Sequence, residues 1–278
     1  MTKPRRPILR AKTPHEAHTS HARAPDPVLD FRSWIVFEDD VLVCVDKPAG
    51  VLSQGGEGGE GVNLVDLARA YLSVPAGVGV LHRLDRNVSG LVLLAKQPRA
   101  ASRLSRDFAE ARVDRRYEAV ARCRPNEARW ALDQVHVLDA WLAKDERTNQ
   151  VTARTHDEVA LMSVLQRGAF RPAKTEVRVL EYLSPPIGLC ARCDLRPITG
   201  RSHQLRVHMA HRGWPLLGDP KYGVPAKDTY RPLLHATMLQ FAHPMNGKLL
   251  TISSAVPWSR ETLSSLAAEP RASRVRAR

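Results

Sequence analysis

Four cysteines in 278 residues are too few and too scattered for a disulfide framework. Cys190 and Cys193 form a lone C-x-x-C, with no second pair to complete a zinc site. The segment Leu189 to Leu195 reads as a strand, where residues three apart point to opposite faces, so the two thiols would not converge on a metal. His203, His208 and His211 lack an Asp, Glu or Cys at ligand spacing, which leaves helix packing or contact with a partner as their roles. Long apolar runs are also missing. No stretch of about 18 apolar residues is present to span a bilayer, and the basic N-terminus is not followed by the apolar segment of a secretory signal. A cytosolic protein with no membrane partner is the expectation. An organellar targeting peptide over Met1 to Ala24 is disfavoured, because Pro4, Pro7 and Pro14 spoil an amphipathic helix. The glycines at 55, 56, 58, 59 and 61 lack the following Lys and Ser/Thr that grip a nucleotide's phosphates. Glu57 and Glu60 would repel an anion there, so the stretch reads as a flexible loop.

Acidic residues are scarce at the two ends. Residues 1–24 hold six Lys/Arg against one Glu, and residues 270–278 hold four Arg and no acid, out of a net charge of +13. A surplus of that sign favours an anionic partner, nucleic acid or an anionic membrane surface. Rich in Pro, Ala, Ser, Thr and Arg, the ends offer no hydrophobic face and read as disordered tails, either plain solvated chain or tethers for phosphates. The division expected is a tail over 1–30, one folded domain over 31–265 and a second tail over 266–278. No internal repeat interrupts it.

What is present concentrates in Leu81 to Lys96, LHRLDRNVSGLVLLAK. Leu91 to Ala95 is a short continuous aliphatic run, which reads as a buried strand, and Asn87, Ser89 and Gly90 before it are turn residues. Asp85 therefore sits on a loop feeding a core strand, the kind of place where reactive side chains are displayed. The plain alternative is an Asp that caps a turn and pairs with Arg83 or Arg86. Leu64 to Leu72 and Arg99 to Ala111 show helical spacing, while Tyr117 to Ala121, Val151 to Ala153, Thr175 to Leu180 and Leu189 to Leu195 read as strands. Helices mixed with runs of successive strands indicate an α+β fold.

HRLD followed by x-x-S-G-L and an aliphatic run resembles the active-site motif of the RluA family of pseudouridine synthases. Other segments agree in order and spacing. Asp46 to Gly50 resembles an early "NKPxG", Arg115 to Ala119 a "KxYxA", Thr199 to His208 a "TGRxHQIRxH", and Gly218 to Gly223 a "GDxxYG". Leu233 to Ala236 with His243 and Pro244 resembles the closing "LxLHA…HP". The match runs from about Ile35 to Pro257. One departure is Val88, where the family usually has Thr. The resemblance implies the pseudouridine synthase fold, a long mixed sheet with flanking helices and a central catalytic cleft, without the S4 RNA-binding domain that some members carry. It further implies Asp85 as the catalytic nucleophile, Tyr117 as the family Tyr and Arg206 as the family Arg.

Isomerising uridine to pseudouridine conserves every atom, so no cofactor or metal is expected. One carboxylate in a dry pocket can attack C1′ or take a proton from the sugar as uracil departs. Arg206 would hold that carboxylate oriented, and Tyr117 would stack on the extracted uracil and help with the C5 proton. The base must be flipped out of its stack. Arg83 would fill the vacated space or hold a phosphate. Arg201 and His203, read as beginning the helix that carries Arg206, would bind phosphate or else pack on the Gly218 to Gly223 loop. The expected partner is ribosomal or transfer RNA, as a small stem-loop, with no obligate protein partner indicated. Two rivals remain open: a non-catalytic RNA-binding protein, and a glycoside hydrolase, which needs a second carboxylate such as Asp46 or Asp219.

Overall fold

The computed structural model describes residues 30–55, 62–73, 78–125, 129–226, 229 and 231–266. Most of the glycine-rich loop and nearly all of both expected tails lie outside the described residues.

The apolar run that closes the Leu81 to Lys96 segment becomes part of β4 (Ser89–Ala95), in which all seven residues are buried. A strand covered on both faces needs no polar alternation, which explains the unbroken aliphatic sequence. Around it lie β1 (Ile35–Glu38), β2 (Leu42–Lys47), β3 (Gly79–Val80), β5 (Asp114–Arg122), β6 (Val135–Asp145), β7 (Gln150–Arg154), β8 (Arg171–Leu183), β9 (Cys190–Pro197), β10 (Leu234–Ala242) and β11 (Leu249–Ser253). They form an 11-stranded sheet in the order β1-β2-β4-β10-β5-β9-β8-β6-β7, with β3 on β4 and β11 on β10. The sheet is mixed. β4 and β10 run parallel, aligning Ser89 with His235 and Gly90 with Ala236, whereas the neighbouring pairs are antiparallel. Gly90 (φ +114°) permits this approach, since a Cβ there would stand 2.4 Å from the Ala236 backbone.

The helices are α1 (Leu64–Leu72), α2 (Pro98–Ala109), α3 (His156–Ala160), α4 (Val164–Arg167), α5 (Gln204–His211) and α6 (Arg260–Ser264). Helix α1 has the bounds its periodicity predicts, opened by Asn63, whose side chain accepts the Asp66 amide. Helix α2 starts one residue earlier than expected, with Pro98 in its first turn, and ends before Ala111, whose φ of 56° is left-handed. Five strands extend beyond the segments read from sequence. β4 takes in Ser89 and Gly90, which read as turn residues, and β9 runs on to Pro197. β5 begins at Asp114, β7 spans both polar ends of its apolar pair, and β8 runs for 13 residues through Pro172. Cys190 and Cys193 on β9 belong to separate hydrophobic clusters. They occupy opposite faces, as the strand period requires.

The main core joins β2, β4, β5 and β9 to α1, α2 and α5. A smaller cluster, including Ala140, Leu142, Val151, Ala153 and Val207, seats α5 against β6 and β7. Gln204 pins the start of that helix to β8. Its amide donates to the Lys174 carbonyl at 2.9 Å and to Thr175 Oγ1 at 3.0 Å, and its Oε1 accepts from the Arg201 amide and Thr199 Oγ1. A buried amide so fully paired fixes where the next residues on the helix point.

Candidate active site

The loop bearing Asp85 is held by the segment that follows β2. Ser53 Oγ donates to the Leu84 carbonyl at 2.8 Å and accepts the Leu84 amide at 3.0 Å. The Arg86 carbonyl accepts from the Gly50 amide at 2.8 Å and from Lys47 Nζ at 3.3 Å. Lys47 is wholly buried and also donates to the carbonyls of Pro48 and Val51. Burial pulls its ammonium down to about 7, with Asp85 and Asp46 acting the other way. Residues on both sides of Asp85 are thus tied to a segment more than 30 positions earlier. The Asp85 carboxylate itself is 22% exposed.

Its partner is neither Arg83 nor Arg86. Arg206 Nη1 donates to Asp85 Oδ2 at 2.7 Å, while its Nε and Nη2 form a fork on Asp219, both bonds 2.7 Å. The expectation that Arg206 grips the nucleophile therefore needs one correction. Its bidentate face goes to Asp219, and a single remaining N–H reaches Asp85. Asp219 is entirely buried and also accepts the amides of Lys221 and Tyr222. Burial would raise its pKa, but the Arg206 bonds and these amides outweigh it and hold the carboxyl below its usual range. Burial likewise opposes the charge on Arg206, and the Asp219 and Asp85 carboxylates overcome it. The Tyr222 ring lies under the guanidinium, 5.1 Å from its carbon.

Asp85 Oδ2 is thereby engaged, whereas Oδ1 makes no hydrogen bond among the described residues. Oδ1 has His203 Nε2 at 4.0 Å. Beside it opens a cleft of about 870 Å³, lined among others by Arg83, Asp85, Arg115, Tyr117, His203 and Arg206. The expected catalytic trio thus meets in one cleft. Tyr117 comes from β5 and is 7% exposed; burial pushes its phenol above the ordinary value, and Asp85 adds to that while Arg115 opposes it. Val88 lines the same cleft, and its amide donates to the Asp85 carbonyl. The side chain that usually differs at this position is therefore not needed to close the turn.

The candidate substrate-binding residues divide. Arg83 is exposed at the cleft and pairs with nothing among the described residues. Arg201 is exposed and donates through Nε to the Pro172 carbonyl at 3.2 Å. The helix begins at Gln204, so Arg201 precedes it and His203 is its cap in a left-handed conformation. His203 does reach the Gly218 to Gly223 loop, through a 2.7 Å bond to the Tyr222 hydroxyl.

His82 packs on Phe108 with ring centroids 4.7 Å apart, and its Nε2 accepts the Leu93 amide at 3.1 Å. That bond leaves the ring proton on Nδ1, which is buried and unpartnered. Burial lowers its pKa to about 3. Among the described residues no second free carboxylate faces Asp85. Both Asp219 oxygens are occupied, Glu110 at the cleft pairs with Arg112, and Asp46 is bonded to Ser254. The paired-carboxylate geometry of a glycosidase is therefore missing from the cleft's described residues.

Sequence reasoning gave no site role to Lys47, Ser53 or Tyr222, and considered Asp219 only as the second carboxylate of a glycosidase, not as the partner of Arg206. Three of these lie in motifs already visible, DKPAG and GDPKYG, which signalled importance without saying with what each side chain pairs. Ser53 carried no signal.

The family model described as RNA pseudouridylate synthase matches residues 41–211. The ribosomal large subunit pseudouridine synthase D of Haemophilus influenzae is 34% identical over 241 residues, covering 80% of this chain and 67% of that protein. The protein of the same name from Nitrosomonas europaea is 34% identical over 235 residues, covering 80% and 62%. Among solved structures, human RNA pseudouridylate synthase domain containing 1 superposes with a TM-score of 0.63 at 23% identity, covering 84% of this chain and 88% of that one. That likeness concerns the fold.

Proposed function

Because the chain belongs to the RNA pseudouridylate synthase family, we propose that it converts uridine in RNA to pseudouridine with Asp85 as nucleophile. The observation carrying this reading is the asymmetric engagement of Asp85. Oδ2 is held by Arg206, itself locked on Asp219, and Oδ1 is left facing the cleft. A carboxylate so oriented has lost rotational freedom before substrate arrives, which lowers the barrier to in-line attack.

In this mechanism Oδ1 attacks C1′ as the N1 to C1′ bond breaks and the uracil leaves with the bonding pair. The uracil rotates within the cleft, C5 attacks C1′, and the Asp85 ester bond breaks, restoring the carboxylate. The C5 proton is then lost and N1 gains one, so the base is isomerised with no external reagent. Tyr117 supports the flipped uracil by stacking. Its phenol, kept protonated by burial, is a poor base at neutral pH. Arg83, unpaired among the described residues and exposed at the rim, takes an adjacent phosphate or the space the base vacates. Arg201 contributes a further phosphate contact.

The relatives' names direct attention to large-subunit ribosomal RNA, and a stem-loop is the substrate form proposed. No helix among the described residues is long and apolar enough to cross a membrane, and ribosomal RNA as substrate implies a cytoplasmic site of action. Mapping pseudouridines in total RNA from cells with and without the gene tests the assignment. Loss of a large-subunit site is expected. Loss confined to transfer RNA would reassign the substrate, and no loss anywhere would remove the activity.

A further inference from the structure

His203 occupies an unusual place for a helix cap. Its backbone is left-handed (φ 52°, ψ 17°), and its side chain makes no cap bond, although turning back onto helix amides is what cap side chains ordinarily do. The ring instead stands between two groups. Nδ1 is 2.7 Å from the Tyr222 hydroxyl, and Nε2 is 4.0 Å from Asp85 Oδ1.

The hydrogen bonds fix the tautomer. The Tyr222 oxygen already accepts the Val151 amide at 2.8 Å, and its own hydrogen has His203 Nδ1 as the acceptor in reach. Nδ1 is therefore unprotonated and Nε2 carries the hydrogen. Burial favours the neutral ring, outweighing the opposite pull of Asp85. A neutral N–H donor thus points toward the side of the carboxylate left open, too far for a direct bond to it.

Stereochemistry decides what that donor meets. In-line displacement brings Oδ1 to C1′ from the ring face opposite the departing uracil. In a β-ribonucleoside the 2′-hydroxyl lies on that same face, on the carbon next to C1′. A donor beside the nucleophile accordingly faces ribose and not base. With C1′ roughly 3–3.5 Å from the attacking oxygen, the gap beside Nε2 is where the 2′-oxygen falls.

We propose that His203 Nε2 donates a hydrogen bond to the 2′-hydroxyl of the target uridine, and that Tyr222 is the positioning residue that holds the ring in the donating tautomer. This rests on Asp85 attacking C1′ and deepens that reading. It makes the catalytic centre itself a sensor of ribose, because a 2′-deoxy sugar leaves a buried donor without a partner.

The test uses synthetic stem-loops from large-subunit ribosomal RNA around the converted uridine, carrying either uridine or 2′-deoxyuridine at that position. Single-turnover rates are measured for the wild-type chain, His203→Asn and Tyr222→Phe, with folding checked by thermal melting. Asn suits the left-handed backbone and is too short to reach the sugar. The wild type should prefer ribose by about tenfold or more. His203→Asn should be slowed by a similar factor on the ribose substrate and barely on the deoxy one, so the preference collapses. Tyr222→Phe should retain the deoxy rate and lose part of the preference. Any intrinsic difference between the two sugars cancels when the preference is compared between enzymes. A preference equal to wild type in both variants, or no preference in the wild type, overturns the proposal. Were His203→Asn unfolded, Tyr222→Phe alone decides. Turnover by Asp85→Asn would overturn the underlying reading instead, so the two failures are distinguishable.

Discussion

Two chains of largely buried polar groups lie near the motif strand, one spanning β2, β4 and β10 and the other joining α5 to the loops around it, and they end differently. One runs from Arg231 to Ser89, His235, Ser254 and Asp46. Ser254 donates to the Asp46 carboxylate, so His235 Nε2 donates to Ser254 and its Nδ1 accepts from Ser89, which in turn accepts from Arg231. A cation stands at one end and an anion at the other, and each link has its partner. The second runs from Asp219 through Arg206 to Asp85 and stops, with Asp85 Oδ1 facing the cleft. Buried charge alone therefore does not mark a reactive site; an unfinished bond beside a cavity does.

The largest expected effect separates the open end from everything behind it. Asp85→Asn preserves shape and removes the proposed nucleophile, so turnover should fall by at least about 10⁴-fold, with RNA affinity and melting temperature close to wild type. Tritium release from C5-labelled uridine reads the first, and filter binding reads the second. Substantial turnover, after deamidation is excluded by mass spectrometry, would erase the distinction between the two chains.

Next comes the clamp. Arg206→Lys supplies a point charge that cannot serve both carboxylates, and a misplaced nucleophile should slow turnover by about 100-fold while RNA affinity changes little. Asp219→Asn should slow turnover similarly. It should also destabilise the fold by roughly 3–5 kcal/mol, because it leaves a buried guanidinium short of a charge. Equal losses of turnover and affinity in Arg206→Lys would mark Arg206 as an ordinary phosphate contact. The closed chain should behave in the opposite way. Ser254→Ala strands His235 Nε2 and Asp46, which costs about 1–3 kcal/mol of stability, yet turnover of the folded enzyme at saturating RNA should not change. A slowed chemical step would show that the second chain also feeds the site.

Both chains were half legible. Asp46, Ser89 and His235 lie in recognisable motifs just as Asp85, Arg206 and Asp219 do, so motif matching could not tell framework from chemistry. That depends on contacts such as the one between Arg206 and Asp85, 121 positions apart. Secondary structure was clearest where burial is uniform, as in β4, or where a cap is local, as at Asn63. It failed for β6, whose Val135 and Val137 are exposed, so its apolar positions do not mark one buried face. Short α3 and α4 were also missed, although each opens with a capping box, since they leave Leu161, Val164 and Leu165 in solvent. Too few apolar positions face inward there to create a period.

The smallest expected effect concerns protons held out of the walls of the open site. His82 and His208 flank Asp85 and Arg206 in sequence, and burial lowers their pKa values to about 3 and about 4. In the unfolded chain each takes a proton as pH falls through its ordinary value, while the folded form refuses it. Stability is thus fully present above about 6.5 and declines toward acid. Lys47 acts in another window, between its ordinary value and about 7, and lowered carboxylates such as Asp219 begin to matter only nearer 4. Between pH 7 and 5.5 each of the two histidines should therefore remove about 1 kcal/mol, with His203 and His235 adding in the same direction. Urea unfolding at the two pH values checks this in the wild type and in His208→Gln, where an amide can still bond to Thr175. The variant should lose about 1 kcal/mol less than wild type across the interval. An unaltered pH slope in His208→Gln would mean that His208 is protonated in the folded protein, and that the wall behind Arg206 is not kept neutral.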